Sequence, residues 1–229
     1  MPSIIVLDKL SPDGLALLDA ADRLGISYEV KTGLSGEELK NVLASHDGAI
    51  CRSGVKITAE VLAGNHRLRA IVRAGVGTDN IDKQAATRQG IVVMNTPAGN
   101  TVSTAEHAFT LLLALSRNVA PADASLREHR WDRSKYMGVQ LAGKTLGIVG
   151  MGRIGQAVAS RARAFDMRVV VYDPFLAAER AGELGVELFG SVREMLPELD
   201  YLTVHTPLTD DTRHLIGKDE LSLLKPGVR

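Results

Sequence analysis

The stretch Leu146-Gly147-Ile148-Val149-Gly150-Met151-Gly152-Arg153-Ile154-Gly155 decides the fold of this chain. An apolar run that reads as a buried strand gives way to three spaced glycines, and a helical pattern follows. A second apolar run, Arg168-Val169-Val170-Val171-Tyr172, ends in Asp173. The order is strand, glycine turn, helix, strand, acid, with the acid near the spacing of about 20 residues expected of a dinucleotide-binding unit. Each part has a physical task. Gly150 allows a tight turn, Gly152 leaves room for a pyrophosphate against the backbone, and Gly155 lets the helix pack close to its strand. The helix N-terminus, through the N–H groups of Arg153 and Ile154, offers unpaired donors and a positive dipole end to phosphates. Asp173 can accept hydrogen bonds from both ribose hydroxyls, and its charge repels a 2′-phosphate. The expected cofactor is therefore NAD rather than NADP. The alternatives are a purely structural glycine turn and an ordinary acid at a strand end.

Outward from this motif the same alternation runs through the whole sequence. Short β-branched runs near residues 4–7, 26–30, 48–51, 68–72 and 91–94 alternate with helical patterns over 12–21, 35–43 and 81–89. Continuous apolar strands separated by helices predict a parallel sheet covered on both faces. Residues 1–98 read as one α/β lobe, and the turn cluster Asn95-Thr96-Pro97-Ala98-Gly99-Asn100 as a hinge. Thr101 or Ser103 can cap a helix over 104–117. The second lobe, 99–229, carries the glycine motif and continues through helices over 155–165, 176–184 and 192–196 to a strand over 201–205. The predicted fold class is α/β, with two Rossmann/flavodoxin-like parallel-sheet lobes, the second incomplete. Residues 120–140 are charged and hold the single tryptophan, Trp131. They read either as a solvated excursion or, because Trp and Arg are frequent interface anchors, as a subunit contact.

Composition narrows the function classes. Lys+Arg and Asp+Glu both number 27, so no basic surplus points to nucleic acid. The one cysteine, Cys51, allows no internal disulfide and fits a reducing compartment. It lies in an apolar run, which suits a buried small residue better than a nucleophile. No apolar run reaches the ~18 residues of a membrane span, and no basic region precedes the first strand. A cytoplasmic protein is expected, with no membrane or nucleic-acid partner. The histidines have no metal-ligand spacing, so no metal is expected.

Several further pieces carry a resemblance: Arg73-Ala74-Gly75-Val76-Gly77-Thr78-Asp79-Asn80-Ile81-Asp82, Asn95-Thr96-Pro97, Trp131 through Gly138, Leu141 through Gly147, His205-Thr206-Pro207-Leu208-Thr209 and Leu224-Lys225-Pro226-Gly227. In this order, over essentially the whole chain, they resemble the D-2-hydroxyacid dehydrogenases, with Trp131–Gly138 most like the phosphoglycerate branch. The resemblance implies hydride transfer between C2 of a D-2-hydroxy acid and NAD, with 3-phosphoglycerate passing to 3-phosphohydroxypyruvate in serine biosynthesis. It also implies a 2-hydroxy or 2-keto acid as small-molecule partner and a homodimer or homotetramer. The alternatives are a non-catalytic NAD-binding short form and another D-2-hydroxyacid dehydrogenase such as a glyoxylate/hydroxypyruvate reductase.

By the same resemblance Gly75, Val76 and Gly77 form the loop whose N–H groups hold the substrate carboxylate, with Val76 also near the nicotinamide. Two glycines flanking one residue after a strand suit an anion-binding nest, although a structural turn would use them too. Arg52 and Ser53 resemble the pair that reaches the substrate from the first lobe; a surface arginine in an ion pair is the alternative. A guanidinium suits carboxylate or phosphate because it donates two parallel hydrogen bonds. Asn100 joins the substrate set. Pro174 shapes the adenosine pocket, and the backbone of His205, Thr206 and Pro207 passes the adenosine ribose. His205 is not expected to be the general base, because the family's catalytic histidine lies further along. The family's catalytic arginine, acid and histidine all follow the Lys-Pro-Gly that stands here at 225–227. No residue of this chain is expected to be catalytic, and the expectation is a truncated form.

Overall fold

Strand and helix alternate along both halves of the chain, as the hydrophobic pattern requires. The computed structural model describes residues 1–229 in two units, Met1–Asn100 and Thr101–Arg229.

The first unit runs β1 (Ser3–Val6), α1 (Pro12–Asp19), β2 (Ser27–Val30), α2 (Gly36–Ala44), β3 (Gly48–Cys51), α3 (Ala59–Leu62), β4 (Ala70–Arg73), α4 (Lys83–Arg88) and β5 (Val92–Asn95). Its strands form one parallel sheet in the order β2-β1-β3-β4-β5. That is the flavodoxin-like order, in which the chain reverses direction across the sheet between β1 and β3. Local chemistry starts the helices where they begin. Ser11 accepts the Gly14 N–H at 3.2 Å with Pro12 in the first turn of α1, and Asp82 accepts the Ala85 N–H at 2.8 Å to open α4. Ile5, Leu7, Leu39, Leu43, Ile57, Leu62 and Ile71 are buried between sheet and helices, each contributing about 1.5–3 kcal/mol. Cys51 belongs to this core, and burial pushes its thiol up to about 11. It is a packing residue, protonated at neutral pH.

The second unit runs α5 (Thr101–Arg117), α6 (Val119–Arg127), β6 (Thr145–Val149), α7 (Arg153–Ala164), β7 (Arg168–Tyr172), α8 (Ala178–Leu184), β8 (Glu187–Leu188), α9 (Val192–Met195), β9 (Tyr201–Val204) and α10 (Lys218–Ser222). Its parallel sheet has the order β8-β7-β6-β9. Every residue of β6 is buried, which explains the unbroken apolar run that identified it. Leu146 and Ile148 pack with residues of α5 and α7, while Val149 packs with Val192, Met195 and Leu199 on the other face. The strand order reverses between β6 and β9, which places the end of β6 at a switch point.

Two details differ from the expected helices. The helix α5 begins at Thr101, so Thr101 and Ser103 lie in its first turn and do not cap it from outside. Residues 120–140 begin in a helix that the sequence pattern does not announce. The helix α6 covers their first part, and buried Ser125 donates to Asp132 Oδ2 at 3.3 Å, tying the turns that follow back to it. Trp131 and Met137 nevertheless stay exposed, at 73% and 77%. No helix is long and apolar enough to cross a membrane.

Candidate functional site

In the first unit the candidate residues meet beyond the C-terminal ends of β3, β4 and β5. The register sets Cys51 beside Arg73 and Arg73 beside Asn95, so the three following loops emerge together. They line a cavity of about 360 Å³ with Arg52, Ser53, Arg73, Ala74, Gly75, Val76, Thr96, Gly99 and Asn100. The loop after β3 is held firmly. Arg52 donates its N–H to Asp8 Oδ2 at 2.5 Å, and Asn80 Nδ2 donates to the carbonyls of Arg52 and Val55 at 2.8 and 2.9 Å. The loop after β4 is held by Asn95, whose Nδ2 donates to Val76 O at 2.6 Å, and by the Thr96 N–H on Gly75 O at 3.1 Å. The Gly75 N–H is taken by Arg73 O at 2.8 Å, whereas the N–H groups of Val76 and Gly77 have no partner within the chain.

The glycines of this loop do not serve the backbone conformation expected of a nest, since neither Gly75 nor Gly77 has a positive φ. They make room for side chains. A Cβ on Gly75 would lie 2.5 Å from Arg73 Nη1, and one on Gly77 2.9 Å from Asp79 Oδ1. Arg73, Thr96 and Gly99, which the sequence places only in the resemblance stretches and the hinge, join the lining of the cavity. For Arg73 a signal existed, because it directly precedes Ala74-Gly75 at a strand end. Gly77 is exposed and is not among the residues lining the cavity.

The second unit assembles a different arrangement. Gly150 has φ 95°, a value that disfavours any side chain, and a Cβ there would lie 2.8 Å from His205 O. A Cβ on Gly155 would lie 2.1 Å from Gly150 O, so the helix α7 crosses the turn at backbone distance. Gly152 has nothing within 4 Å of the same position and caps α7 without a side chain. The N–H groups of Arg153, Ile154 and Gly155 therefore begin the helix without an intrahelical partner. Asp173, at the end of β7, accepts the Met151 N–H at 2.7 Å and the Phe175 N–H at 2.8 Å, one on each carboxylate oxygen. Both oxygens retain a further lone pair for a ligand. Gln156 Nε2 donates to Met151 O at 2.9 Å and closes the turn.

At the switch point His205 donates its N–H to Val149 O at 2.8 Å, and its Nε2 lies 3.0 Å from Thr203 Oγ1. Burial lowers its pKa, which keeps the ring neutral at pH 7. Thr206 approaches Gly150 closely, and Pro207 O accepts the Thr212 hydroxyl at 2.6 Å. Pro174 and Phe175 are exposed, Phe175 at 95%. An uncapped N-terminus on a helix of 12 residues, an open glycine and an acid at the next strand end together fit a dinucleotide.

The profile of the D-isomer specific 2-hydroxyacid dehydrogenase NAD binding domain matches residues 109–229. The chain belongs to the D-isomer specific 2-hydroxyacid dehydrogenases. NAD is the cofactor of the domain it carries. The chain is 44% identical over 225 residues to D-3-phosphoglycerate dehydrogenase of Methanocaldococcus jannaschii, covering 98% of this chain and 42% of that protein. It is 45% identical over 230 residues to the Mycobacterium tuberculosis protein of the same name, covering 100% of this chain and 42% of that one. It thus spans about two fifths of the length of these relatives. Among solved structures, the TT0316 protein of Thermus thermophilus superposes with a TM-score of 0.85 at 36% identity, over 97% of this chain and 70% of that one. The D-lactate dehydrogenase of Aquifex aeolicus, solved with NAD and lactic acid, gives 0.86 at 28% identity, over 99% and 67%.

Proposed function

We propose that this chain serves the NAD-dependent oxidation of 3-phosphoglycerate to 3-phosphohydroxypyruvate, the entry to serine biosynthesis, in the cytoplasm. The observation that carries the reading is the 44–45% identity to D-3-phosphoglycerate dehydrogenases across 98–100% of the chain. Substrate binding is assigned to the first unit, through Arg52, Ser53, Gly75, Val76, Gly77 and Asn100. Cofactor binding is assigned to Gly150, Gly152, Arg153, Ile154, Gly155, Asp173, Pro174, His205, Thr206 and Pro207, with Val76 toward the nicotinamide.

The chemistry that follows belongs to these residues in turn. NAD, when bound, accepts the hydride from C2 of the substrate. The free N–H groups at the start of α7 neutralise pyrophosphate charge. Asp173, braced by two backbone donors, accepts the ribose hydroxyls and repels a 2′-phosphate. The unpaired N–H groups of Val76 and Gly77 hold a substrate carboxylate. No proton transfer is assigned to a residue of this chain. The neutral ring of His205 is not given that task, because its Nε2 is engaged with Thr203.

Trp131, Met137 and Leu126 are exposed on and beside α6, which supports the same segment as a contact between copies of the chain in a homodimer or homotetramer. Fluorescence titration tests the cofactor assignment. NADH is expected to bind at least about tenfold more tightly than NADPH. Equal affinities would overturn the role given to Asp173. For the substrate, the test is NADH formation from 3-phosphoglycerate by the protein at the length of its relatives, with D-lactate and D-glycerate as competitors for the assignment.

A further inference from the structure

The first unit has a second cavity, which the proposed reaction does not use. Its strand order β2-β1-β3 sets the loops after β2 and β3 on either side of the end of β1, where the chain reverses direction across the sheet. Open α/β sheets bind ligands at such a point. Between these loops, and against the first turns of α2 and α3, lies a cavity of about 610 Å³, within the ~300–1,000 Å³ of small-molecule sites. It shares no lining residue with the cavity that holds Arg52. The loop after β3 serves both, with Arg52 and Ser53 in one and Gly54, Val55 and Lys56 in the other. That loop is fixed, because Asp8 takes the Arg52 N–H and Asn80 holds the carbonyls of Arg52 and Val55.

The floor of this second cavity is apolar, with Leu34, Val55 and Val61 all buried. Its walls carry two cations and two anions, and so no net charge. Glu37 and Lys40 pair with each other at 3.7 Å. Lys56 and Glu60, on the wall that follows β3, have no ion-pair partner and stay exposed. Ser35 precedes α2 without capping it, which leaves its hydroxyl available. Two opposite charges, each unpaired, therefore line one neutral cavity above an aliphatic floor. We infer that the cavity binds a small zwitterion with an aliphatic body, the chemistry of a free aliphatic amino acid. Lys56 and the Ser35 hydroxyl take its carboxylate, Glu60 takes its ammonium, and the floor takes its side chain. Such a ligand answers both charges at once and adds no net charge to the lining. A dianion would set a second negative charge against Glu37 and Glu60, and a simple acid or amine would answer one charge only.

Methyl-detected NMR titration of the 229-residue chain reads affinity and place together. L-Leucine is expected to bind with a Kd of about 1 mM and to shift the methyl signals of Leu34, Val55 and Val61. 4-Methylpentanoate, which lacks the ammonium, and 3-methylbutylamine, which lacks the carboxylate, are each expected to bind about fivefold more weakly. Lys56→Gln and Glu60→Gln change exposed side chains and leave the floor intact. Each should weaken L-leucine by about twofold to fivefold, the range for an exposed charge pair. Lys56→Gln should leave the amine unaffected, and Glu60→Gln the pentanoate. Glu38→Gln, which removes a charge on α2 outside the cavity, should change none of the three. Equal affinity for the three ligands would overturn the zwitterion and leave an apolar cleft only. Wild-type affinity for L-leucine in both Gln variants would overturn the roles of Lys56 and Glu60. Failure of L-leucine to saturate the shifts of the three floor residues by about 20 mM would overturn the site itself.

Discussion

Two loops of this chain carry a glycine, one residue and a second glycine after a parallel strand, and they use the glycines for opposite purposes. In Gly150-Met151-Gly152 the requirement is in the main chain. Gly150 adopts φ 95°, and Gly155 brings α7 against Gly150 O at a distance no side chain permits. In Gly75-Val76-Gly77 the φ values are ordinary, and the space is occupied by the ends of the Arg73 and Asp79 side chains. The first loop presents backbone donors on a rigid turn. The second presents two backbone donors next to a charge borne on a long side chain. Identical spacing in sequence thus describes two devices, and only the surroundings tell them apart.

The sharpest way to break this distinction is to add the same methyl group to both. Gly155→Ala places a Cβ against backbone atoms that cannot yield, so a destabilisation of about 3 kcal/mol and loss of NADH binding are expected. Gly75→Ala meets only the movable end of Arg73, so the stability should change by less than about 1 kcal/mol. Its cost falls instead on the binding of 3-phosphoglycerate, by about tenfold. Thermal unfolding alongside the two titrations measures both. Equal destabilisation by the two substitutions would dissolve the contrast.

A smaller effect is expected from Asp173→Asn. The amide can accept at one oxygen only, so either Met151 or Phe175 loses its partner at a cost of about 1–2 kcal/mol. NADH should bind roughly tenfold more weakly, and the preference over NADPH should narrow. An unchanged preference would show that the charge of Asp173 does not select the cofactor. The smallest effect concerns His205. Burial favours its neutral form, so its ring is expected to titrate below the ordinary 6.5, as an NMR titration would read directly. The unfolded chain then binds the proton more readily, so stability is full above pH ~6.5 and declines as pH falls from there toward the lower folded value. Substitution of His205 by Gln should flatten that decline.

Much of this was legible in the sequence, for reasons tied to particular residues. The strands announced themselves because parallel strands are apolar on both faces, as the five buried residues of β6 illustrate. The dinucleotide turn was legible because its constraints act on the backbone and glycine answers them alone. The strand β8, only Glu187–Leu188, was invisible, since two residues carry no period. Helix α6 was hidden in a charged segment whose single fully buried polar residue is Ser125. Arg73 escaped notice because its significance lies in what it lacks. No spacing in a sequence reveals that its Nε will be buried without a hydrogen-bond partner, with Cys51 and Asn95 beside it in the sheet.

The bond from the Met151 N–H to Asp173 has one more consequence. It stitches the turn after β6 to the acid after β7 in the protein by itself, with Gln156 closing the other side. The loop therefore arrives at its ligand already shaped, and the entropy of ordering it is spent once, during folding, instead of at each encounter. A preorganised loop of this kind should hold the Met151 amide hydrogen against exchange with solvent even before any nucleotide is present.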